Sequence, residues 1–246
     1  MQPIDGVTVI DWWQSYCGTA PGPGDWLGRI NGDPLLIGVL ALALVLGIRL
    51  PARRRMPAML AVVVLAIAFV SPLCALSVAL FSARTVHHLL LIGVAAPLLA
   101  LAWPVRARVA VTLPLSTSVL WGWHLPTLYD AALGHVGLYW LMQASLLGSA
   151  WLYWASVRRA SAMEAVAGIA GGAVQMGFLG ALLTFAGRAL YATHWATSVP
   201  FGIGPLADQQ LAGLVMWIPG MAPYAIAAAW VAARRWSSAG AGRVAA

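Results

Sequence analysis

The sequence predicts an all-α fold: a polytopic integral membrane protein, a bundle of seven transmembrane helices with the N-terminus outside and the C-terminus in the cytoplasm. Three observations lead there. The 246 residues are 61% hydrophobic and only 9% charged, against about 25% charged in an ordinary soluble domain. Mean hydropathy is +0.84, more apolar side chain than a globular core of this length can bury. Apolar runs of near bilayer-crossing length recur along the chain, with arginines clustered between them.

Taken in order, residues 1–33 form an extramembrane arm. They lack the basic n-region and the apolar stretch of roughly 7–15 residues that mark a cleavable signal peptide. Trp12, Trp13 and Trp26 suit the headgroup level. Crossing about 30 Å of hydrocarbon takes roughly 20 apolar residues. Seven runs approach or exceed that: 34–50, 58–81, 86–103, 108–124, 138–157, 165–187 and 209–233. Pro51, Pro57, Pro104 and Pro126 punctuate the ends at which helices should stop. The membrane domain is therefore 34–233, followed by a cytoplasmic tail, 234–246. The sixth run, "GIAGGAVQMGFLGALLTFAG", has Gly168 and Gly172 at GxxxG spacing, which lets helices approach closely in lipid. Tight packing is the plain reading there, ahead of a ligand channel. Gln175, near the middle of that run, is expected to hydrogen-bond a neighbouring helix.

All fourteen basic residues are arginine. Arg49, Arg53, Arg54 and Arg55 follow the first run, Arg106 and Arg108 the third, and Arg158 and Arg159 the fifth. Arg234, Arg235 and Arg243 follow the seventh. In a seven-helix weave these share one side, and only Arg29, Arg84 and Arg188 fall on the other. The positive-inside rule puts the larger group in the cytoplasm. Asp5, Asp11, Asp25, Asp33, Asp130 and Asp208 then lie outside, and Glu164 inside. The formal charge of +7 reflects these topology clusters, not a nucleic-acid surface. Cys17 and Cys74 are too few for a disulfide framework; one bridge and two free thiols are both open.

All five histidines fall on the outer side. His87 and His88 stand at the mouth of the third run, His124 ends the fourth, His135 follows in the loop, and His194 lies in the last outer loop. Cys74 is in the outer half of the second run, and Asp208 opens the seventh from outside. Imidazole, thiolate and carboxylate together suit a transition metal, and sulfur beside imidazole leans towards copper(I). His88, His124, Asp208, Cys74 and His87 are the candidate metal ligands. Their spacing is not that of a metal motif, for there is no CxxC, HExxH or Met-rich tract. His87 and His88 point about 100° apart on a helix, so one should face the bundle and the other the loops or headgroups. A histidine bonded to backbone or water at the interface is the plain alternative for each.

Other function classes find less support. No GxSxG, Gly-rich phosphate loop or paired helix carboxylates appear, which argues against covalent or phosphoryl chemistry and against an enzyme. A channel or pump should carry ionisable groups at mid-membrane depth. Retinal needs a lysine, and this chain has none.

Residues 69–104, 119–133 and 204–220 resemble one family. "SPLCALSVALFSARTVHHLLLIGVAAPLLALAWP" is similar to the stretch of polytopic CtaG proteins in which a Ser-Pro-Leu helix leads into a His-x-x-x-His helix. "WHLPTLYDAAL" resembles their Trp-His-Leu-Pro element, and "GPLADQQLAGLVMWIPG" their Asp-Gln-Gln…Gly…Met-Trp signature. The resemblance implies a seven-helix cytochrome c oxidase assembly factor of the bacterial plasma (inner) membrane. It further implies haem–copper oxidase subunits as partners, beside the lipid bilayer, and copper as the metal whose centre it helps mature.

The resemblance has departures as well. Arg84 stands at the first histidine of His-x-x-x-His and His88 at the second. In "GLYWLMQASLL", Tyr139 and Gln143 take both histidine positions of a second such segment, and Cys74 stands where an aspartate is expected. Arg84 cannot ligate a cation, having no free lone pair. Two functions are therefore expected. One is copper handling at the outer face by His88, His124 and Asp208 with Cys74 or His87. The other is a metal-free scaffold or accessory subunit of a terminal oxidase or other respiratory complex. A haem or quinone binder would need a mid-depth polar cleft or paired axial histidines, which His88 and His124 alone could supply.

Overall fold

The structure, a computed structural model, describes residues 15–244; Trp12 and Trp13 of the N-terminal arm lie outside the described residues. After a single 3₁₀ turn at Trp26–Gly28, helix α1 spans Pro34–Ile48. Its start follows local chemistry. Asp33 is the N-cap, accepting from the amides of Leu35 at 2.8 Å and Leu36 at 3.4 Å, and Pro34 occupies the first helical position. Helix α2, Ala52–Phe69, packs antiparallel against α1, with Gly47 close to Ala58.

The expected run 58–81 is two helices. Ser71 caps α3, Pro72–Ala79, which lies at 46° to α2. Leu80 is extended, and α4, Phe81–Leu89, begins at Phe81 instead of 86. It continues through a π-helical stretch, Leu90–Ala95, into α5, Ala96–Ala102. One of the expected proline stops is not a stop, for Pro57 lies inside α2. Pro126 does follow the end of the fourth run, but it also opens a further helix, α7, Pro126–Gly134, where a loop was expected. Proline near a helix start removes at most one intrahelical bond.

Helices α6, Val109–Trp123, and α8, Val136–Arg159, follow. Helix α9, Ala162–Phe185, opens with a Ser161–Glu164 capping box. The last expected run begins at Pro205 and is interrupted. Helix α10, Pro205–Trp217, and α11, Ala222–Val244, are joined by a turn at Pro219–Met221.

Every expected run is thus largely helical. Among the described residues, three segments are long and apolar enough to cross a membrane, Phe81–Ala102, Ala162–Phe185 and Pro205–Arg234. The bent α2–α3 pair makes a fourth, while α1 and α6 are apolar but shorter. The exterior matches a lipid solvent. Leu35, Phe178, Phe185 and Ile226 are 76%, 62%, 75% and 70% exposed, far more apolar surface than a water-soluble monomer shows.

Helix α8 organises the interior. It runs parallel to the α4–α5 segment: Tyr139 near its start lies beside Arg84, and Arg158 at its end donates to the Ala100 carbonyl at 2.7 Å. The Trp154 indole donates to the Ile92 carbonyl at 2.8 Å, inside the π-helical stretch where the regular bond pattern is broken. Helix α6 is antiparallel to α8, through Thr112–Ser156 at 2.7 Å and Trp123–Ser145 at 2.8 Å. Gln175 makes its expected interhelical bond, accepting from the Trp121 indole at 3.1 Å. The small residues also act as expected. A Cβ on Gly168 would stand 2.7 Å from Val109, and one on Gly213 would stand 2.6 Å from the Gly180 carbonyl. Helices α9 and α10 therefore touch backbone to backbone.

Candidate functional site

The site begins with a broken chain. Because Leu80 is extended, the first amides of α4 have no partner within their own helix. Asp208, in the first turn of α10, supplies one. Its carboxylate accepts from the amide of Phe81 at 2.6 Å, from the amide of Ser82 at 3.1 Å and from the Ser82 hydroxyl. Asp208 is fully buried and both of its oxygens are engaged. The structure thus makes it the N-terminal cap of α4, delivered from 126 residues away in sequence.

That clamp sets α4 between α3 and α10, and Val86, 38% exposed, is its one side chain at the surface. Arg84 and His87 are completely buried and His88 is 5% exposed. This corrects the expectation that the two histidines sit at a helix mouth with one turned to loops or headgroups. Their side chains do diverge, with ring centroids 5.7 Å apart, but protein lies in both directions. The rings of His87 and Phe69 meet edge to face at 4.9 Å.

Arg84 stands at the centre of this cluster. Its guanidinium lies 5.4 Å from the centre of the Tyr139 ring. It interacts electrostatically with Tyr129, Tyr139 and His194. Its nitrogens lie near the Tyr129 and Tyr139 hydroxyls without a well-formed hydrogen bond among the described residues, and Asp208 forms no ion pair with it. Both ring nitrogens of His87, Nε2 of His88, and both amide atoms of Gln143 are likewise buried and unpartnered. Since α4 and α8 run parallel with Arg84 beside Tyr139, His88 lies level with Gln143, one turn further along each helix.

The other expected ligands are placed elsewhere. Cys74 is bonded to Cys17, with Cα atoms 5.3 Å apart, which answers the question of bridge or thiols. In that state its sulfur offers no thiolate. His124 ends α6, with Nδ1 2.7 Å from the Leu120 carbonyl. His135 caps α8, accepting from the amides of Gly137 and Leu138. Among the described residues, no three His, Cys, Asp or Glu side chains gather as a metal-holding group.

The bridge carries the N-terminal arm over one end of the cluster. Tyr16, next to Cys17, stacks on Tyr139 at 5.1 Å and meets the edge of Trp140 at 4.7 Å. Its hydroxyl donates to Asp33 at 2.6 Å, which holds the Asp33 carboxyl below the usual carboxylate range. Tyr16, Phe69 and Trp140 were not singled out from sequence. Nothing in the local pattern marks them, because their roles depend on contacts across the bundle.

His194 was expected only as a loop residue, yet it is buried against Phe81 and Tyr129. Nε2 lies 2.8 Å from the Tyr129 hydroxyl and Nδ1 3.3 Å from the Ala79 carbonyl, which suits the neutral tautomer protonated on Nδ1. Burial, aided by the Arg84 charge and opposed by the Ala79 carbonyl, pushes its pKa down to about 3. The unfolded chain binds this proton near pH 6.5 and the folded one does not. Stability is therefore full above about pH 6.5 and falls as the pH drops towards 3. At pH 5 the group should cost about 2 kcal/mol relative to pH 7.5. Thermal melts at the two pH values test this: His194→Gln should show a drop smaller by that amount, and an equal drop would refute the assignment.

The family described as cytochrome c oxidase caa3 assembly factor (Caa3_CtaG) matches residues 36–112 and 107–238. No curated protein and no solved structure matches the chain.

Proposed function

Since the chain belongs to the Caa3_CtaG family of cytochrome c oxidase assembly factors, we propose that it assists oxidase assembly from the outer face of the bacterial plasma membrane. In this reading it is a seven-span docking scaffold, with haem–copper oxidase subunits as partners and no resident metal. Two observations support the orientation. Arg53, Arg54, Arg158 and Arg159 line one cavity and Arg158 and Arg234 another, so clusters distant in sequence meet at one end, as cytoplasmic arginines do. The Cys17–Cys74 bridge lies on the arm and α3, away from those arginines in the weave, and disulfides persist in oxidising compartments.

The position of Arg84 carries the metal-free reading. A copper site needs several convergent lone pairs, and a fixed cation among them repels the metal. Here Arg84 adjoins both buried histidines, Asp208 caps a helix, and Cys74 is bridged. The unpartnered nitrogens of His87 and His88 favour a second reading, in which copper is a transient cargo passed to the oxidase by ligand exchange.

Metal analysis of detergent-purified protein loaded with copper(I), wild type against His87→Ala/His88→Ala, separates the two. The scaffold predicts no more copper in wild type than in the variant, and normal oxidase content in a deletion strain carrying the variant. Near-stoichiometric copper that disappears in the variant would overturn it in favour of delivery.

A further inference from the structure

We propose that the arginine end of the bundle binds an anionic phospholipid, its phosphate held between Arg158 and Arg234 and a chain lying in the groove between α9 and α11. Two hollows open at this end and share Arg158 as a wall. One, of about 330 Å³, is lined by Arg53, Arg54, Arg158 and Arg159. The other, of about 270 Å³, lies between α8, α9 and α11 and carries Arg158 and Arg234 beside Trp230. Among the described residues no carboxylate lines either hollow. Glu164, at the start of α9, is turned to Ser161, accepting from its amide at 3.0 Å and its hydroxyl at 2.9 Å.

Two of these arginines are held in place. Arg158 is partly buried and donates from Nη1 to the Ala100 carbonyl at 2.7 Å, and the Arg234 guanidinium lies 4.7 Å from the centre of the Trp230 ring. Arg159 and Arg234 both act on the charge of Arg158. Among the described residues the only ion pair is Arg29–Asp25, so no protein anion offsets this gathering. Like charges brought together at a partly desolvated site repel, and an anion bound among them relieves the repulsion. Orienting helices in a membrane needs arginines in the loops, but not their convergence from α2, α8 and α11 on shared hollows. The second hollow continues into an apolar groove of about 460 Å³, with Ala162 and Val231 common to both and Met163, Val166 and Ala228 as further walls. Away from the arginines this groove follows both helices towards their middles, the direction a lipid chain takes from its head. Inorganic phosphate would leave the groove empty, and a choline head would bring a cation among the arginines. Basic hollows between membrane helices suit anionic head groups for these reasons. The inference rests on the membrane placement of the helices and stands or falls separately from the assembly role.

The test uses the full-length protein in detergent, with bound lipid counted by native mass spectrometry during titration with phosphatidylglycerol or with phosphatidylcholine of the same chains. Phosphatidylglycerol should be retained saturably and roughly tenfold more tightly than phosphatidylcholine. Each arginine near the phosphate should contribute roughly fivefold, so Arg158→Gln/Arg234→Gln should weaken retention roughly thirtyfold. Arg49→Gln/Arg55→Gln removes the same charge from outside both linings and should leave retention unchanged. Ala228→Trp, which fills the groove away from the arginines, should weaken phosphatidylglycerol as well. Glycerol 3-phosphate, a head without chains, should not displace the lipid. Equal retention of the two lipids by wild type overturns the proposal, and so does an equal loss in the two arginine pairs, the mark of diffuse charge. Displacement by glycerol 3-phosphate, with lipid retention undiminished in Ala228→Trp, also overturns it in favour of a soluble phosphate. If Arg158→Gln/Arg234→Gln fails to fold, Arg234→Gln alone, at an exposed position, carries the comparison with a roughly fivefold loss.

Discussion

Asp208→Ala should lower the melting temperature by about 10 °C, whether or not copper is present. The carboxylate is the shared acceptor for the amides of Phe81 and Ser82 and for the Ser82 hydroxyl, all buried. Hydrogen bonds to a charged acceptor contribute about 1.5–3 kcal/mol each, and a buried donor left without a partner costs a similar amount. These effects overlap, so the net loss is about 4 kcal/mol. At about 2–4 °C per kcal/mol for a chain of this size, that gives the stated shift. Asp208→Asn keeps one acceptor oxygen but turns an amide donor towards the remaining donors, and should fall between. A purely metal-ligating aspartate would behave oppositely: its removal would leave the metal-free melt unchanged or raised. The melt of the metal-free variant therefore distinguishes the cap from the ligand.

Cys17→Ala/Cys74→Ala should be nearly as costly. The bridge joins residues 57 apart, and closing a loop of that length restricts the unfolded chain by about 4 kcal/mol in the chain-entropy account. The bridge also holds Tyr16 against Tyr139 and Trp140 at one end of the buried cluster. Reduction of the wild-type protein should lower its melting temperature close to that of the double variant, and the double variant should not respond to reductant. A wild-type melt insensitive to complete reduction would show that the arm is held by its aromatic contacts and the Tyr16–Asp33 bond alone.

The two results bear on how much of the molecule is legible in its sequence. Helices α8 and α9 were readable because a long apolar run is a local property. The Gln175 bond and the close approach at Gly168 were readable because a polar or very small residue in an apolar helix has few other uses in lipid. The break at Ser71–Pro72 carries a local cap-and-proline signal, but it sits inside an unbroken apolar run that reads as one span. Helix α7 is short and bounded by Leu125 and His135, so the same reasoning took it for loop.

The candidate site was legible only as a set of residue types. His87, His88 and Asp208 were all picked out, yet their relations were not. Helical periodicity states the angle between neighbouring side chains, not what surrounds the helix, and so it could not foresee that both histidines are interior. What the sequence determined by itself was the class of the protein, its apolar runs, its arginine clusters and the departures at Arg84, Tyr139 and Gln143. Only the tertiary structure decided that Asp208 caps α4, that Cys74 is bridged to the arm, and that Arg84 is buried beside Tyr139 without an ion-pair partner among the described residues. The physical reason is range: apolarity and helix geometry act within a few residues, whereas each of these three facts depends on groups that folding brings together from distant parts of the chain.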